Sequence, residues 1–261
     1  MSIYESFRRS VLYLELIYIA FMVAMALVLA ACANVAPIPI PTGTTAEAFT
    51  PIAKLIQQQT TRTDTMVTTA GYAFADASGV RLVDTLSFSA GATPQPLSTP
   101  QQQIWLGEAP SEQLTALVHI AGTARIASVR ARGMLQGPAT FGPNGSYQYQ
   151  LVHPQFALLV PQDVTFQTLF ANGTAYENRF VRVMGTLFAQ GSSGLLVEKT
   201  DINGVPAPQA RQIKLSTPIR DTALLARLQQ ARDQNVHFGP VQIEGFWHNG
   251  SLMPFAIFPT S

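Results

Sequence analysis

The sequence predicts a mainly β protein whose folded part contains two copies of one five-stranded pattern. Charged residues make up only 12% of the chain, which favours strands joined by turns over helices held together by ion pairs. From residue 65 onward, apolar and polar residues alternate with a period of two, as expected of half-buried strands. A comparison of the chain with itself shows the same pattern twice, which indicates a duplicated unit.

The first part of each copy is predicted to be a hairpin. Residues 71–84 read GYAFADASGVRLVD and residues 185–198 read GTLFAQGSSGLLVE, so the first glycine and the final acid have the same spacing in both. In each segment a strand, a turn containing Ser-Gly and a second strand follow one another. Asp84 and Glu198 therefore occupy equivalent positions in the two copies.

The remaining elements also occur twice. The third strands are expected at 104–106 and 213–215, the helices at 111–117 and 221–232, and the last strand pairs at 129–134 with 156–160 and 241–246 with 255–258. Three strands, a helix and two further strands is the order of the OB-fold, a small Greek-key barrel. The sequence therefore predicts two tandem OB-like five-stranded barrels. A pair of generic β-sandwich halves is the alternative.

The first predicted strand of the second copy resembles a strand found in known domains. Residues 176–185, YENRFVRVMG, resemble the tyrosine-led Val-x-Val-x-Gly first strand of several bacterial extracytoplasmic OB-like domains. We assign residues 65–162 to OB-like domain 1, residues 163–178 to a linker and residues 179–261 to OB-like domain 2. Since each copy has its own strands and apolar faces, each is expected to fold independently.

The N-terminal segment is predicted to bind a membrane. Arg8 and Arg9 precede residues 11–31, which are apolar apart from Glu15 and two tyrosines. A helix of about 21 residues is roughly 32 Å long, enough to cross a bilayer. The paired arginines place the N-terminal end inside the cell and export the chain that follows.

The end of this segment indicates how the anchor is made. Leu29-Ala30-Ala31-Cys32 resembles the lipobox of bacterial lipoproteins. The resemblance implies that residues 1–32 are a signal peptide and that Cys32 carries the lipid. An uncleaved helix over residues 11–31 is the alternative. Both place the folded part on the extracytoplasmic face of a bacterial membrane, periplasmic or at the cell surface.

Residues 33–64 are predicted to be a proline-rich tether with a short helix. Pro37, Pro39 and Pro41 alternate with isoleucines, a pattern typical of an extended, semi-rigid spacer. The helix is expected at residues 51–59, where Pro51 suits the first helical turn. The tether would hold the folded part away from the membrane surface.

The composition and motifs indicate no catalytic chemistry. The formal net charge is +1, which gives no general attraction to nucleic acid. The four histidines are not at metal-ligand spacing, and the chain has one cysteine. Asp84 and Glu198 are expected to be scaffold carboxylates, each in its own barrel. The sequence therefore predicts no catalytic residue, metal or cofactor.

Binding is expected to depend on aromatic and arginine side chains near strand ends, where they would be accessible. The predicted binding residues are Trp105, Arg130, Arg132, Tyr147, Tyr149 and Trp247. The predicted function is a non-enzymatic scaffold or accessory subunit of an envelope membrane complex, such as a respiratory or photosynthetic electron-transfer assembly. The alternative is an envelope lipoprotein that binds an oligosaccharide or peptide through strands 1–3 and the loop 89–103. An envelope hydrolase is a third, minor alternative.

Overall fold

The computed structural model describes residues 49–58, 64–88, 93–108, 111–116, 119–200, 205–231 and 235–260, without the side chains of residues 119–121. All of them belong to one compact unit, Thr45–Ser261. Cys32, the 11–31 segment and most of the tether lie outside the described residues. Within the described ranges, no helix is both long and apolar enough to span a bilayer.

The described residues form four α-helices, three 3-10 helices and fifteen strands. The α-helices are α1 Ile52–Gln58, α2 Glu112–Thr115, α3 Phe166–Asn172 and α4 Thr222–Arg227. The 3-10 helices are Pro100–Gln102, Pro143–Gly145 and Gly173–Tyr176. The strands are β1 Thr65–Asp76, β2 Gly79–Val83, β3 Leu86–Ser87, β4 Gln95–Pro96, β5 Ile104–Gly107, β6 His119–Ala121, β7 Ala124–Gln136, β8 Tyr149–Leu158, β9 Gln162–Asp163, β10 Phe180–Gln190, β11 Ser193–Val197, β12 Gln212–Leu215, β13 Gln229–Gln230, β14 Val236–His248 and β15 Ser251–Pro259.

Five strands of the first half form a closed barrel. β1 pairs with β2, β2 with β5, β5 with β8, β8 with β7, and β7 returns to β1. The β5–β8 pairing is parallel, with Ile104 opposite Tyr149, and the others are antiparallel. The prediction of a mainly β protein with a five-stranded barrel is confirmed.

The second sheet repeats this order of pairings. β10 pairs with β11, β11 with β12, β12 with β15, β15 with β14, and β14 with β10. Here too the third and fifth strands, β12 and β15, run parallel. Short strands β9 and β13 extend this sheet at β10 and β14. The predicted order of three strands, a helix and two strands is present in both halves.

Matched glycines explain the repeated hairpins. A Cβ atom on Gly71 would lie 2.6 Å from the Val83 carbonyl oxygen, and one on Gly185 would lie 2.8 Å from the Val197 carbonyl oxygen. In both hairpins the partner backbone comes too close for any side chain. The repeated sequence pattern therefore corresponds to a repeated close approach of two strands.

The helices begin where the sequence predicts but are shorter. The Ser111 hydroxyl accepts a hydrogen bond from Leu114 N, and an Asp221 carboxylate oxygen accepts one from Leu224 N. The prediction of a helix over 221–232 is wrong at its C-terminal end. The α4 helix stops at Arg227, because Gln229 and Gln230 leave the helix to pair with β14.

Each sheet encloses its own apolar core. Helix α1 places Ile52 and Leu55 in the first core. The second core contains side chains from the segment that the sequence assigned to a linker, 163–178. That segment carries α3 and the 3-10 helix Gly173–Tyr176, and its buried members are Val164, Phe166, Leu169 and Tyr176. These residues pack against the second sheet.

A third apolar cluster joins the two halves, and we call it the interface cluster. It contains Ala70, Tyr72, Phe74, Val83, Leu86 and Ala124 from the first half and Phe180, Phe246, Phe255 and Ala256 from the second. The Tyr72 and Phe255 rings are 4.4 Å apart, and the Phe49 and Phe246 rings are 4.3 Å apart. The two halves therefore share buried surface, a feature that the expectation of independent folding did not include.

Candidate functional site

The aromatic residues predicted to bind a partner are buried. Trp105, Tyr147, Tyr149 and Trp247 each expose 5% or less of their surface. The Trp105 ring stacks at 5.0 Å on the Tyr147 ring, Tyr149 belongs to the first core and Trp247 to the second. The sequence predicts them near strand ends and accessible, but neighbouring elements leave very little of their surface exposed.

The two predicted arginines lie on β7. Arg132 is exposed and lies opposite Thr68, and Arg130 is half-buried opposite Ala70. The buried Nε of Arg130 has no hydrogen-bond partner among the described residues. The structure does not bring the six predicted residues together into one surface.

Most close charge pairs in the described ranges hold strands together. Arg81 donates two hydrogen bonds, of 2.8 and 2.7 Å, to the Asp76 carboxylate across the first hairpin. Arg182 donates to Glu244 at 2.8 and 2.9 Å and to Asp163 at 3.2 Å, which ties β10 to β14 and β9. These arrangements are structural, since each charge meets an opposite charge on a neighbouring strand.

The Asp76–Arg81 pair makes stability depend on pH. Hydrogen bonds from Arg81 hold the pKa of the Asp76 carboxyl below its ordinary value. Because the folded-state pKa is lower than the unfolded one, the stabilisation is present above about pH 4 and is lost as the pH falls through the folded-state value. We expect Asp76→Asn to lower the unfolding free energy by about 1 kcal/mol at pH 7, since the pair is partly exposed. In urea unfolding experiments, that difference should disappear in strong acid. A constant difference across the pH range would contradict this assignment.

A cleft lies between the two halves beside the interface cluster, and we call it the interface cleft. Its volume is about 250 Å³. Apolar side chains supply much of its wall, among them Phe49, Ile52, Leu97, Met253 and Phe255. Its polar side chains are Asp84, Thr85, Ser98, Thr217 and Arg220. An apolar cleft with a few polar groups is the usual form of a small-molecule site.

Two of these polar side chains lack protein partners. Ser98 is 8% exposed, and its buried Oγ makes no hydrogen bond to any described residue. The same holds for the buried Oδ1 of Asp84, which follows directly after β2. A buried polar atom without a hydrogen-bond partner is costly, so these two atoms call for a bound water or a ligand group to satisfy them.

A second, shallower groove lies along the outside of the first barrel. Its volume is about 400 Å³, and Ser78, Arg81, Asn144 and Tyr147 contribute to its lining. Pro96, Ser98, Pro100 and Gln103, from the predicted ligand-binding loop 89–103, form another part of its wall. The groove therefore includes part of the loop 89–103, together with Arg81 of β2 and residues 143–147 between β7 and β8.

Sequence reasoning found only part of this arrangement. The sequence marks Asp84 only as the equivalent of Glu198, a predicted scaffold carboxylate, and no motif marks Ser98 or Arg220. The cleft walls come from segments far apart in the chain, so no local motif predicts them. Among the described residues, no group of three or more His, Cys, Asp or Glu side chains is placed to hold a metal ion.

Comparison of the chain with family models, curated proteins and solved structures gives no match.

Proposed function

We propose that this protein is a non-enzymatic scaffold or accessory subunit of an envelope membrane complex. In this proposal Cys32, or the 11–31 helix, anchors the chain in a bacterial membrane. Two tandem OB-like barrels then lie on the extracytoplasmic side. The partner is a membrane protein complex, such as an electron-transfer assembly.

The repeated strand pairings support the OB-like assignment of both halves. In each half the third and fifth strands pair in parallel and the first strand pairs with the fourth. In each half a short helix also stands between the third and fourth strands. This is the strand and helix order of a small Greek-key barrel.

The interface cluster is the observation that carries the scaffold proposal. Its aromatic contacts, such as Tyr72 with Phe255 at 4.4 Å, fix the two halves in one arrangement. A scaffold benefits from such rigidity, because a preorganised surface loses less conformational entropy when a partner binds. Several large apolar side chains are exposed in the described part of the chain, among them Met184 at 63%, Val160 at 71% and Phe170 at 51%. Aromatic residues and methionine are enriched in protein interfaces.

The outer groove supports one second candidate, a ligand-binding lipoprotein. Its neutral hydrogen-bonding side chains, Ser78, Asn144 and Ser146, suit hydroxyl and amide groups. An envelope oligosaccharide or peptide would present such groups. This candidate uses the first barrel alone and requires no protein partner.

The test is affinity purification of the full chain from bacterial membranes in mild detergent. We expect a membrane complex to co-purify in stoichiometric amount, and Met184→Asp to reduce its recovery about tenfold if Met184 is an interface anchor. Gln190→Asp, on the same strand at an exposed position, is the matched control. Recovery of the chain alone, together with glycan or peptide binding that Asn144→Ala weakens, would favour the second candidate.

Cys32→Ser tests the anchor separately. We expect this variant to remain unprocessed or to leave the membrane fraction, because the lipid would have no attachment atom. Intact-mass analysis of the wild-type chain should show acyl groups on a protein that begins at Cys32. A mature protein that still carries Met1 would instead favour the uncleaved 11–31 helix.

A further inference from the structure

The equivalent carboxylates of the two copies, Asp84 and Glu198, have different charge partners. In the second copy, Glu198 follows β11 and accepts hydrogen bonds of 3.1 and 3.2 Å from Arg211 Nη1. The match between Ile213 and Ile104 makes Gln102 the counterpart of Arg211. A glutamine carries no charge, so Asp84 lacks the cation that neutralises its equivalent.

No other described residue takes the place of that cation. Asp84 forms no ion pair and accepts no hydrogen bond in the described part of the chain, and its Oδ1 is buried. Arg220 lines the same cleft without an ion pair to Asp84. A half-buried carboxylate beside apolar walls is unfavourable unless a cation or a hydrogen-bond donor reaches it.

We propose that the interface cleft binds a small, mainly apolar molecule that carries a protonated amine, with Asp84 as its counter-ion. The ammonium group would take the place that Arg211 fills beside Glu198 in the other copy. The apolar body would contact Phe49, Ile52 and Phe255, which line the cleft. Ser98, whose hydroxyl lacks a partner, supplies a second polar contact.

The size of the cleft limits the ligand. A cavity of about 150 Å³ holds a benzene ring, so the observed volume of about 250 Å³ suits one ring with a short polar chain. Arg220 adds a preference, since its guanidinium can pair with a carboxylate on the same molecule. A zwitterion with an apolar side chain would therefore bind more tightly than a simple amine. This site does not depend on the scaffold proposal.

The experiment is calorimetric titration of the full chain in lipid nanodiscs with three probes of one shape. Phenethylamine has the amine alone, phenylalanine has the amine and a carboxylate, and 3-phenylpropionate has the carboxylate alone. We expect the first two to bind at millimolar concentrations and 3-phenylpropionate to bind far more weakly. Equal binding of all three, or no binding of any, would overturn the proposal.

Matched variants test whether Asp84 is the charged partner of the ammonium group. Asp84→Asn should weaken both amines about tenfold or more, because it removes the charged partner of the ammonium. Glu198→Gln, the same kind of change at the equivalent position, should leave binding unchanged. Arg220→Gln should weaken phenylalanine and spare phenethylamine. Unchanged affinity of the amines for Asp84→Asn would overturn the assignment.

Thermal melts of the unliganded variants separate a binding role from a structural one. Because Asp84 has no protein partner, Asp84→Asn should melt no lower than the wild type. Glu198→Gln should melt slightly lower, since it weakens the ion pair with Arg211. A clear loss of stability in Asp84→Asn alone would show that the carboxylate serves the fold, and the proposal would fail.

Discussion

Phe246→Ala should lower the unfolding free energy by about 3–5 kcal/mol, because truncation of a buried phenylalanine removes apolar contacts and leaves a cavity. Phe246 is 2% exposed within the interface cluster. Its ring lies 4.3 Å from that of Phe49 and 5.0 Å from that of Phe180. It contacts elements of both halves, so its loss should weaken the joint between them.

The measurement is urea unfolding of residues 45–261, which contain all three apolar clusters. Phe170→Ala is the matched control, since Phe170 is 51% exposed on α3 and its truncation should cost well under about 1 kcal/mol. A shared core also predicts one cooperative transition that moves as a whole in Phe246→Ala. Two transitions, with only the one from the second half displaced, would instead support independent folding of the copies.

The order of strands and helix in each half could be predicted because its signals are local. Gly71 and Gly185 mark the same close strand approach at the same spacing from Asp84 and Glu198. A helix cap such as Asp221 acts within a few residues and is equally visible in the sequence. Strand order and helix position in both halves followed from such short-range features.

The contact between the copies could not be predicted, because it depends on which strand faces meet. Residues 69–75 of β1 are buried on both faces of the strand. Tyr72 and Phe74 pack in the interface cluster, whereas Ala73 and Ala75 pack in the core of the first barrel. The sequence shows only that these residues are apolar. Nothing local indicates that Tyr72 meets Phe255, far along the chain.

The same reason explains the burial of the predicted anchors. An aromatic residue near a strand end is accessible only if no neighbouring element covers it. Tyr147 covers Trp105 from the loop before β8, and the 3-10 helix at Gly173 approaches Trp247. The interface cleft has a similar origin, since its walls meet only after the two halves pack. Tertiary packing therefore decided both which residues are buried and where a ligand could enter.

Gly245→Ala should be the other strongly destabilising substitution. We expect it to lower the unfolding free energy by about 3 kcal/mol, because atoms added to a closely packed site cost up to this much. Gly245 stands where the pairing of β14 with β15 shifts register. A Cβ atom there would lie 3.0 Å from the Met253 carbonyl carbon and 3.1 Å from Pro254 Cα. Both neighbours are backbone atoms of the paired strand, so neither can move aside as a side chain could.

Alanine variants at Gly133 and Gly173 are the comparisons for Gly245→Ala. Gly133 occupies the matching irregularity between β7 and β8, and its Cβ would lie 3.0 Å from the Val152 carbonyl oxygen. A Cβ on Gly245 would come closer still to the Met253 carbonyl oxygen, so Gly133→Ala should be destabilising by less than Gly245→Ala. At Gly173 the backbone is helical and the nearest side-chain atom, Trp247 Nε1, is 3.4 Å away, so Gly173→Ala should be neutral or slightly stabilising. Thermal and urea unfolding of the three variants would test this order. If Gly245→Ala and Gly133→Ala unfold like Gly173→Ala, the paired strands can move apart at little cost in free energy. Gly133 and Gly245 would then not be a steric requirement of the two copies.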